Sequence, residues 1–159
     1  MKKILIGVAF LAILGGAAFV VASDGTKVNQ AEMEKMRGTD AYYLESDELD
    51  LAAPYGEEEL LIALQDKVFI KIAFSLKYKL GMEWMETPEM ATEAFAKKAL
   101  EIRSSLILDL SGRTSEDLKG AKLLLFQEHL IDLINEIVFP KKMARVEKVL
   151  FQHVLVQGG

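Results

Sequence analysis

The sequence predicts an α+β domain, with a sheet of few strands and two main helices, preceded by one apolar segment. Three observations carry this prediction. An uncharged run extends from Ile4 to Ala22, residues alternate in polarity over Val68–Tyr78, and two later stripes of apolar residues have helical spacing. Strands that are followed by long helices, without regular alternation of the two, are typical of the α+β class.

Composition excludes several classes of protein. The chain has 159 residues, of which 51% are hydrophobic, and it has no cysteine. The length predicts one domain, and the apolar fraction excludes a mainly disordered chain. Without cysteine there is no disulfide scaffold, thiolate metal site or cysteine nucleophile. The net charge of −5 argues against a non-specific DNA binder, whose affinity comes from Lys and Arg.

Residues 1–22 are predicted to be a cytoplasmic stub and a transmembrane helix. The run Ile4–Ala22 has 19 residues, and as a helix it would rise roughly 28 Å, close to the ~30 Å hydrocarbon core. Lys2 and Lys3 precede it, so the positive-inside rule predicts a cytoplasmic N-terminus and export of the remainder. A cleaved signal peptide is the alternative, although the run exceeds the usual h-region of about 7–15 residues.

Small residues recur within this predicted span. Ala12 and Gly16 form a small-xxx-small pair on one helix face, and Ala9 and Gly15 extend that face. Faces of this kind let transmembrane helices approach closely and associate. The alternative is that Gly and Ala are simply common in membrane helices.

Residues 23–56 are predicted to be a stalk and an acidic linker. Removal of residues 1–22 takes away two lysines and no acid, so the exported part carries a net charge of −7 and should stand off anionic headgroups. The stalk is polar and is predicted to be partly helical through Val28, Met33 and Met36. Residues 45–59 are rich in Asp and Glu, and Pro54-Tyr55-Gly56 has turn chemistry.

Residues 57–159 are predicted to form the α+β domain. Its clearest strand is Val68–Tyr78, where a period of two indicates one buried and one wet face. Leu60–Leu64 is the expected hairpin partner, and a helix over Glu57–Leu64 is the alternative.

Two helices and a last strand follow. Thr87-Pro88 is typical of a helix start, and Gly112 stands where a left-handed C-cap is expected. Thr114 begins a capping-box pattern, and Pro140 ends the second helix. Arg145–Gln157 has apolar residues at both odd and even positions, and so on both sides of a strand. This pattern predicts a central strand covered on both faces. The two helical stripes are Phe95, Ala99, Ile102, Leu106 and Leu110, then Leu123, Phe126, Leu130, Ile134 and Ile137.

No catalytic, cofactor or metal site is predicted. His129 and His153 are the only histidines, and neither lies in a nucleophile motif. Glu128, Asp132 and Glu136 share a helix face, but one rigid helix rarely supplies a complete oxygen cage for Ca²⁺ or Mg²⁺. A solvated acidic face is the preferred interpretation. The residues alone therefore indicate an exported domain that acts by contact.

Several stretches, in this order, resemble the FliL family of flagellar basal-body-associated proteins. The resemblance covers most of residues 60–157. It includes a hairpin, the junction after a helix that resembles the family's "LSxxTxxDL", and a terminal strand that resembles "VyFtxFvvQ". These stretches are Leu61–Asp66, Phe69–Leu76, Ile102–Ile107, Leu110–Leu118, Ile134-Asn135 and Val149–Gln157.

The resemblance implies a non-enzymatic, single-pass bacterial inner-membrane protein with a periplasmic domain similar to the stomatin fold. Family members associate with the stator units of the flagellar motor, support torque and swimming, and assemble as oligomers around the stator. By the same resemblance, the span and the stalk that begins at Ser23 and Asp24 become the expected partner-contact region. A generic stomatin-like membrane scaffold for another complex, or a cleaved periplasmic binding module, are the alternatives.

Overall fold

The structure is a computed structural model that describes residues 19–21, 27–43, 46–56 and 59–157. The chain divides into two compact units, which separate between Arg37 and Gly38. Each unit is described by itself.

The first unit contains a small hairpin and one helix. Strands β1 (Phe19–Val21) and β2 (Lys27–Asn29) pair antiparallel, and helix α1 (Gln30–Met36) follows directly. Met33 and Met36 lie in α1 as predicted, whereas Val28 lies in β2, so its predicted place in the helix is wrong. Phe19–Val21 differs from the predicted continuous helix, and its aromatic and β-branched residues favour the extended backbone. The rest of Ile4–Ala22 lies outside the described residues.

No helix within the described ranges is long and apolar enough to cross a membrane. The membrane span therefore stays a prediction from the sequence.

The second unit is built on an antiparallel sheet whose central strand is long. Helix α2 (Asp40–Tyr43) precedes strands β3 (Leu49–Ala52), β4 (Leu60–Ala63), β5 (Phe69–Leu80) and β6 (Ala144–Gln157). One edge of β5 pairs with β6 along its whole length. The other edge pairs first with β4 and then with β3. The β4–β5 hairpin confirms the predicted pairing, so the alternative helix over Glu57–Leu64 is wrong.

Two long helices cover one face of this sheet. Helix α3 (Glu89–Ser111) is followed by a 3₁₀ turn (Ser115–Leu118) and helix α4 (Ala121–Val138). Both helices confirm the predicted stripes, and the capping box between Thr114 and Asp117 is present. Gly112 has a φ of −86°, so the predicted left-handed C-cap is wrong. Core side chains from the sheet are Leu60, Ile62, Ile70, Ile72, Phe74, Leu76 and Tyr78, which pack with Phe95, Ile102, Leu106, Leu110, Phe126, Leu130 and Ile134 from the helices.

Strand β6 is an edge strand of the described sheet, and the prediction of a central strand is wrong. Register shifts occur opposite Ala73/Phe74 and Lys77/Tyr78. Each bulge adds one residue to β6 and reverses the alternation of its side chains. As a result, Val146, Val149 and Phe151 all oppose core-facing residues of β5 despite their mixed parity. The bulges therefore bring apolar residues from both odd and even positions onto the core face, whereas Leu150 and Leu155 lie on the opposite face.

Strand β3 lies within residues 23–56, the segment predicted as stalk and linker. Leu49 and Leu51 pack against the core, and Asp50 and Ala52 alternate with them. This part of the acidic segment therefore belongs to the folded sheet. Its alternation extends over only four residues, which is too short to distinguish a strand from a loop by periodicity.

Candidate interaction surfaces

The predicted partner-contact residues fall outside the described part of the chain. These residues are Ala9, Ala12, Gly15, Gly16, Ser23 and Asp24. The small-residue face therefore stays a prediction. The surfaces that the structure does describe belong to the second unit.

Two tyrosines fasten the start of the second unit to the ends of its longest strands. Tyr42 and Tyr43 are 0% and 1% exposed. The Tyr43 hydroxyl donates to the Lys142 carbonyl oxygen at 2.7 Å, and the Met82 N–H donates to the Tyr42 carbonyl oxygen at 3.2 Å. A Cβ at Gly81 would overlap the Tyr42 ring, so only glycine allows this approach. We call Tyr42 and Tyr43 the tyrosine anchor.

A charged side chain covers the tyrosine anchor from outside. The Arg145 guanidinium lies 4.5 Å from the centre of the Tyr43 ring, within cation–π range. Its Nη1 is 2.9 Å from Asp40 Oδ1, and its Nε is 2.6 Å from Glu147 Oε1. The ion pairs of Arg145 thus connect α2 to β6 beside the buried rings of the tyrosine anchor.

Helix α4 protects the first half of the outer edge of β6. The Asn135 side chain donates to the Val146 carbonyl oxygen at 3.1 Å and accepts from the Val146 N–H at 2.7 Å. The Gln127 amide also donates to the Val149 carbonyl oxygen. Side chains of α4 therefore make the backbone hydrogen bonds that a further strand would make at this edge. We call Ala144–Val149 the covered half of β6.

The second half of β6, Leu150–Gln157, is called the open half. Its side chains Leu150, Leu155 and Val156 are exposed. From Val149 to Gln157 the chain has no Asp, Glu, Lys or Arg. Among the described residues, no strand lies beyond β6. Exposed edges in native sheets are usually interrupted by charge or proline, so this bare edge is a candidate binding surface.

The sheet face that points away from the helices is called the open face, and it carries ion pairs. Glu48 lies 2.9 Å from Lys148 Nζ and 3.2 Å from Lys77 Nζ. Hydrogen bonds from Lys148 and Lys77 hold the pKa of Glu48 below its usual range, and Glu48 raises the pKa of Lys77. Glu59 pairs with Lys71, whose hydrogen bond lowers the pKa of Glu59.

A shallow depression on the open face contains His153. The His153 Nε2 is 2.8 Å from Glu59 Oε1, and the lining residues are Ala52, Ala53, Glu59, Ala73, Gln152 and His153. This lining contains no hydroxyl or thiol nucleophile. An imidazole beside a carboxylate, without a nucleophile, does not form a catalytic triad.

The second histidine is also held by an acid. His129 Nε2 lies 3.2 Å from Asp109 Oδ1, and Arg113 pairs with the same carboxylate at 2.9 Å. Glu128, Asp132 and Glu136 are exposed along α4. In the part of the chain that the structure describes, no three His, Cys, Asp or Glu side chains converge as metal ligands would.

The outer faces of the helices expose further leucines, which sequence reasoning did not identify as surface candidates. Leu100 is 78% exposed on α3, with Leu108 two turns further on, and Leu124 and Leu125 are exposed on α4. Each of these leucines lies outside the buried stripe of its helix. Their positions in the helical period were therefore a sequence signal that they are exposed. The open half of β6 had no such signal, because its exposure depends on the bulges and on where α4 begins.

Comparison with known proteins gives one family match. The family model described as "Flagellar basal body-associated protein FliL" matches residues 55–157, which is more than half of the chain. No curated protein matches the chain. The matched range begins just after β3 and contains β4, β5, both long helices and β6.

Proposed function

The chain belongs to the FliL family and is a flagellar basal body-associated protein, and from this premise we propose that it associates with stator units of the flagellar motor. In this proposal it is a non-enzymatic, single-pass inner-membrane protein that supports torque and swimming as a homo-oligomer, with a ring as the expected form. The N-terminus is cytoplasmic and the second unit is periplasmic. The family match over residues 55–157 is the observation that carries the proposal.

The described surfaces favour a role by contact. His129 lies 3.2 Å from Asp109 and His153 lies 2.8 Å from Glu59, and the depression around His153 offers no nucleophile. The second unit instead presents exposed apolar side chains on the sheet edge and on both helices. Exposed apolar groups of this kind mark sites where proteins associate.

The N-terminal sequence supports the proposed tether. Residues 1–22 would form the stub and span, residues 23–56 would lead from the membrane, and residues 57–159 would form the periplasmic domain. In this arrangement the Ala9, Ala12, Gly15 and Gly16 face contacts helices of the stator or of other copies. Ser23 and Asp24 would begin the juxtamembrane contact.

Deletion of the gene tests the proposed function directly. We expect slower swimming in viscous medium and fewer fluorescently labelled stator units per motor, with recovery on expression of the full chain. Unchanged torque together with unchanged stator retention would contradict the proposal. Recovery of non-flagellar partners by crosslinking from the stalk would instead support a stomatin-like scaffold for another complex.

Two measurements test the tether itself. Mass spectrometry of the mature protein should detect an intact N-terminus, and loss of residues 1–22 would indicate a cleaved periplasmic module. Gly16→Arg should impair insertion or motility, since a cation in the bilayer centre costs about 2.5–3.5 kcal/mol on insertion scales. Gly25→Arg, beyond the predicted span, is the matched control for insertion and should insert as wild type.

A further inference from the structure

We propose that neighbouring copies of this chain join their sheets edge to edge, with the open half of β6 pairing alongside β4 of the next copy. The inference rests on the homo-oligomer in the proposed function and identifies its interface. Both edges belong to the second unit, and both carry backbone groups that no described strand uses.

The register shows which backbone groups of β6 point outward. Val146 opposes Tyr78, and its N–H and C=O bond to Asn135, away from β5. In an antiparallel pair, residues at alternate positions of β5 repeat this outward arrangement. Ile70 and Ile72 are at such positions, so their partners Val156 and Val154 also point N–H and C=O outward. Within the described residues, the open half therefore presents a row of donors and acceptors that no further strand pairs with.

The opposite edge of the sheet is complementary. Ile70 and Ile72 direct their backbone groups toward Ile62 and Leu60 of β4. The alternate residues of β4, Leu61 and Ala63, therefore point their N–H and C=O away from the sheet. The Leu61 side chain is 66% exposed, so neither its backbone nor its side chain is covered.

Two exposed leucines mark the ends of one row across the open face. Lys71 opposes Leu61 on one side and Leu155 on the other. Leu155 is 49% exposed. When the two edges of adjacent copies pair, Leu61 of one copy comes beside Leu155 of the next, and both lose contact with water. Burial of this apolar area favours the contact.

Charge explains why a second copy is the occupant. The chain has a net charge of −5, so two copies repel over most of their surfaces. Val149–Gln157 and Leu60–Leu64 both lack Asp, Glu, Lys and Arg. Pairing these two edges brings copies together where like charges do not oppose each other.

Strand direction makes this contact compatible with a membrane tether. Strands β4 and β6 both run antiparallel to β5, so within one copy they are parallel to each other. When adjacent copies have the same orientation, β6 of one copy therefore pairs in parallel with β4 of the next. Every copy then presents its Gly38 end to the same side. Such a heterologous contact repeats around an axis and closes into a ring when the rotation between copies closes.

Disulfide trapping in the full chain tests the interface, because the natural chain has no cysteine. The double variant Leu61→Cys with Leu155→Cys, expressed in membranes and oxidised, should give a ladder of crosslinked oligomers. Within one copy the two positions are two strand spacings apart, about 9.6 Å. This separation exceeds the ~7 Å limit for a disulfide, so the crosslinks must form between copies.

Control variants make the crosslinks specific. Pairing Leu61→Cys with His153→Cys or Gln157→Cys tests registers shifted by two residues, and a ladder from one of these pairs also supports the inference. Leu100→Cys with Leu155→Cys places the first cysteine on the outer face of α3, at a position more exposed than Leu61, and should give no ladder. Val156→Pro removes an outward N–H and should abolish the ladder, while an unchanged melting temperature would show that the fold is intact.

Three results would overturn the inference. Dimers from Leu155→Cys alone, without a ladder in the double variants, would indicate antiparallel pairing of β6 with itself. Absence of disulfides from an oligomer still detected by amine crosslinking would place the interface elsewhere and leave the proposed function standing. Absence of any oligomer would remove this interface and also the oligomeric part of the proposed function.

Discussion

In the covered half of β6, Val146 and Val149 are buried and their outward backbone groups bond to Asn135 and Gln127 of α4. In the open half, Leu155 and Val156 are exposed and no α4 side chain reaches their backbone among the described contacts. Both halves pair with the same strand, β5. The difference therefore comes from the helix beside the edge and not from strand pairing.

This comparison separates two functions within one strand. The covered half contributes to the core and should determine stability. The open half packs Phe151 and Val154 against the margin of the core, but its outer edge has no α4 side chain beside it among the described residues and is available for contact with another chain. Substitutions that affect the two halves unequally test the separation.

Of the side-chain truncations, that of Phe126 should have the largest effect on the fold. Its ring is buried and stacks on Phe151 with a centroid distance of 6.1 Å and an interplanar angle of 8°. Phe126→Ala should lower the free energy of unfolding by about 3–5 kcal/mol, since it leaves a cavity between α4 and β6. Urea denaturation measures this. Leu125→Ala, at the exposed neighbouring position, should stay within about 0.5 kcal/mol of wild type, and equal losses would contradict the comparison.

Removal of the Asn135 amide should be the next largest effect. Asn135→Ala leaves the buried N–H and C=O of Val146 without their partner, at a cost of about 2–3 kcal/mol. Hydrogen exchange should accelerate at the Val146 amide and remain unchanged at Val154. Glu136→Ala, on the exposed side of the same helix turn, is the control. Equal acceleration in both halves would show that α4 does not protect the covered half separately.

A lysine in the open half should change stability little. Leu155→Lys should leave the free energy of unfolding within about 0.5 kcal/mol of wild type, because the side chain is already half exposed. The same substitution at Val149, in the covered half, buries an unpaired charge and should prevent stable folding. Thermal melts of the two variants measure the contrast, and a large loss for Leu155→Lys would mean that the open half is part of the core.

Acid should produce the smallest effect, through the ion pairs that join β3 to β5 and the covered half. Lys148 and Lys77 lower the pKa of Glu48, so folding favours its ionised form. This stabilisation is present above the usual glutamate pKa of 4.5 and is lost as the pH falls through the lowered value. Denaturation at pH 6 and at pH values below ~4 measures the loss. Glu48→Gln should reduce the difference, and an identical pH dependence would exclude this ion pair as a source.

Local patterns were sufficient to predict most elements. The alternation over Val68–Tyr78 corresponds to β5, and the apolar stripes correspond to α3 and α4. These patterns are long, so burial of one face repeats often enough to be read. The absence of a motif around His129 and His153 also led to a contact function without knowledge of the fold.

Features that depend on tertiary contacts could not be predicted. The bulges in β6 arise from its pairing with β5, and they made an edge strand look like a central one. Asn135 reaches a backbone partner 11 residues further along the chain, which no helical periodicity indicates. Tyr42 and Tyr43 lie within residues 23–56, whose composition predicts a stalk and linker, and their burial depends on tertiary contacts such as the close approach of Tyr42 to Gly81.

The tyrosine anchor also determines how the domain would bear mechanical load. Tension on the chain before Gly38 reaches Tyr42 and Tyr43, and it passes from them to Met82, just after β5 ends, and to Lys142, just before β6 begins. These two strands are paired over twelve positions of β5. Because both contacts lie at the same end of this long pair, a pull on the chain is divided between two paired strands and is not carried by the short helix α2 alone.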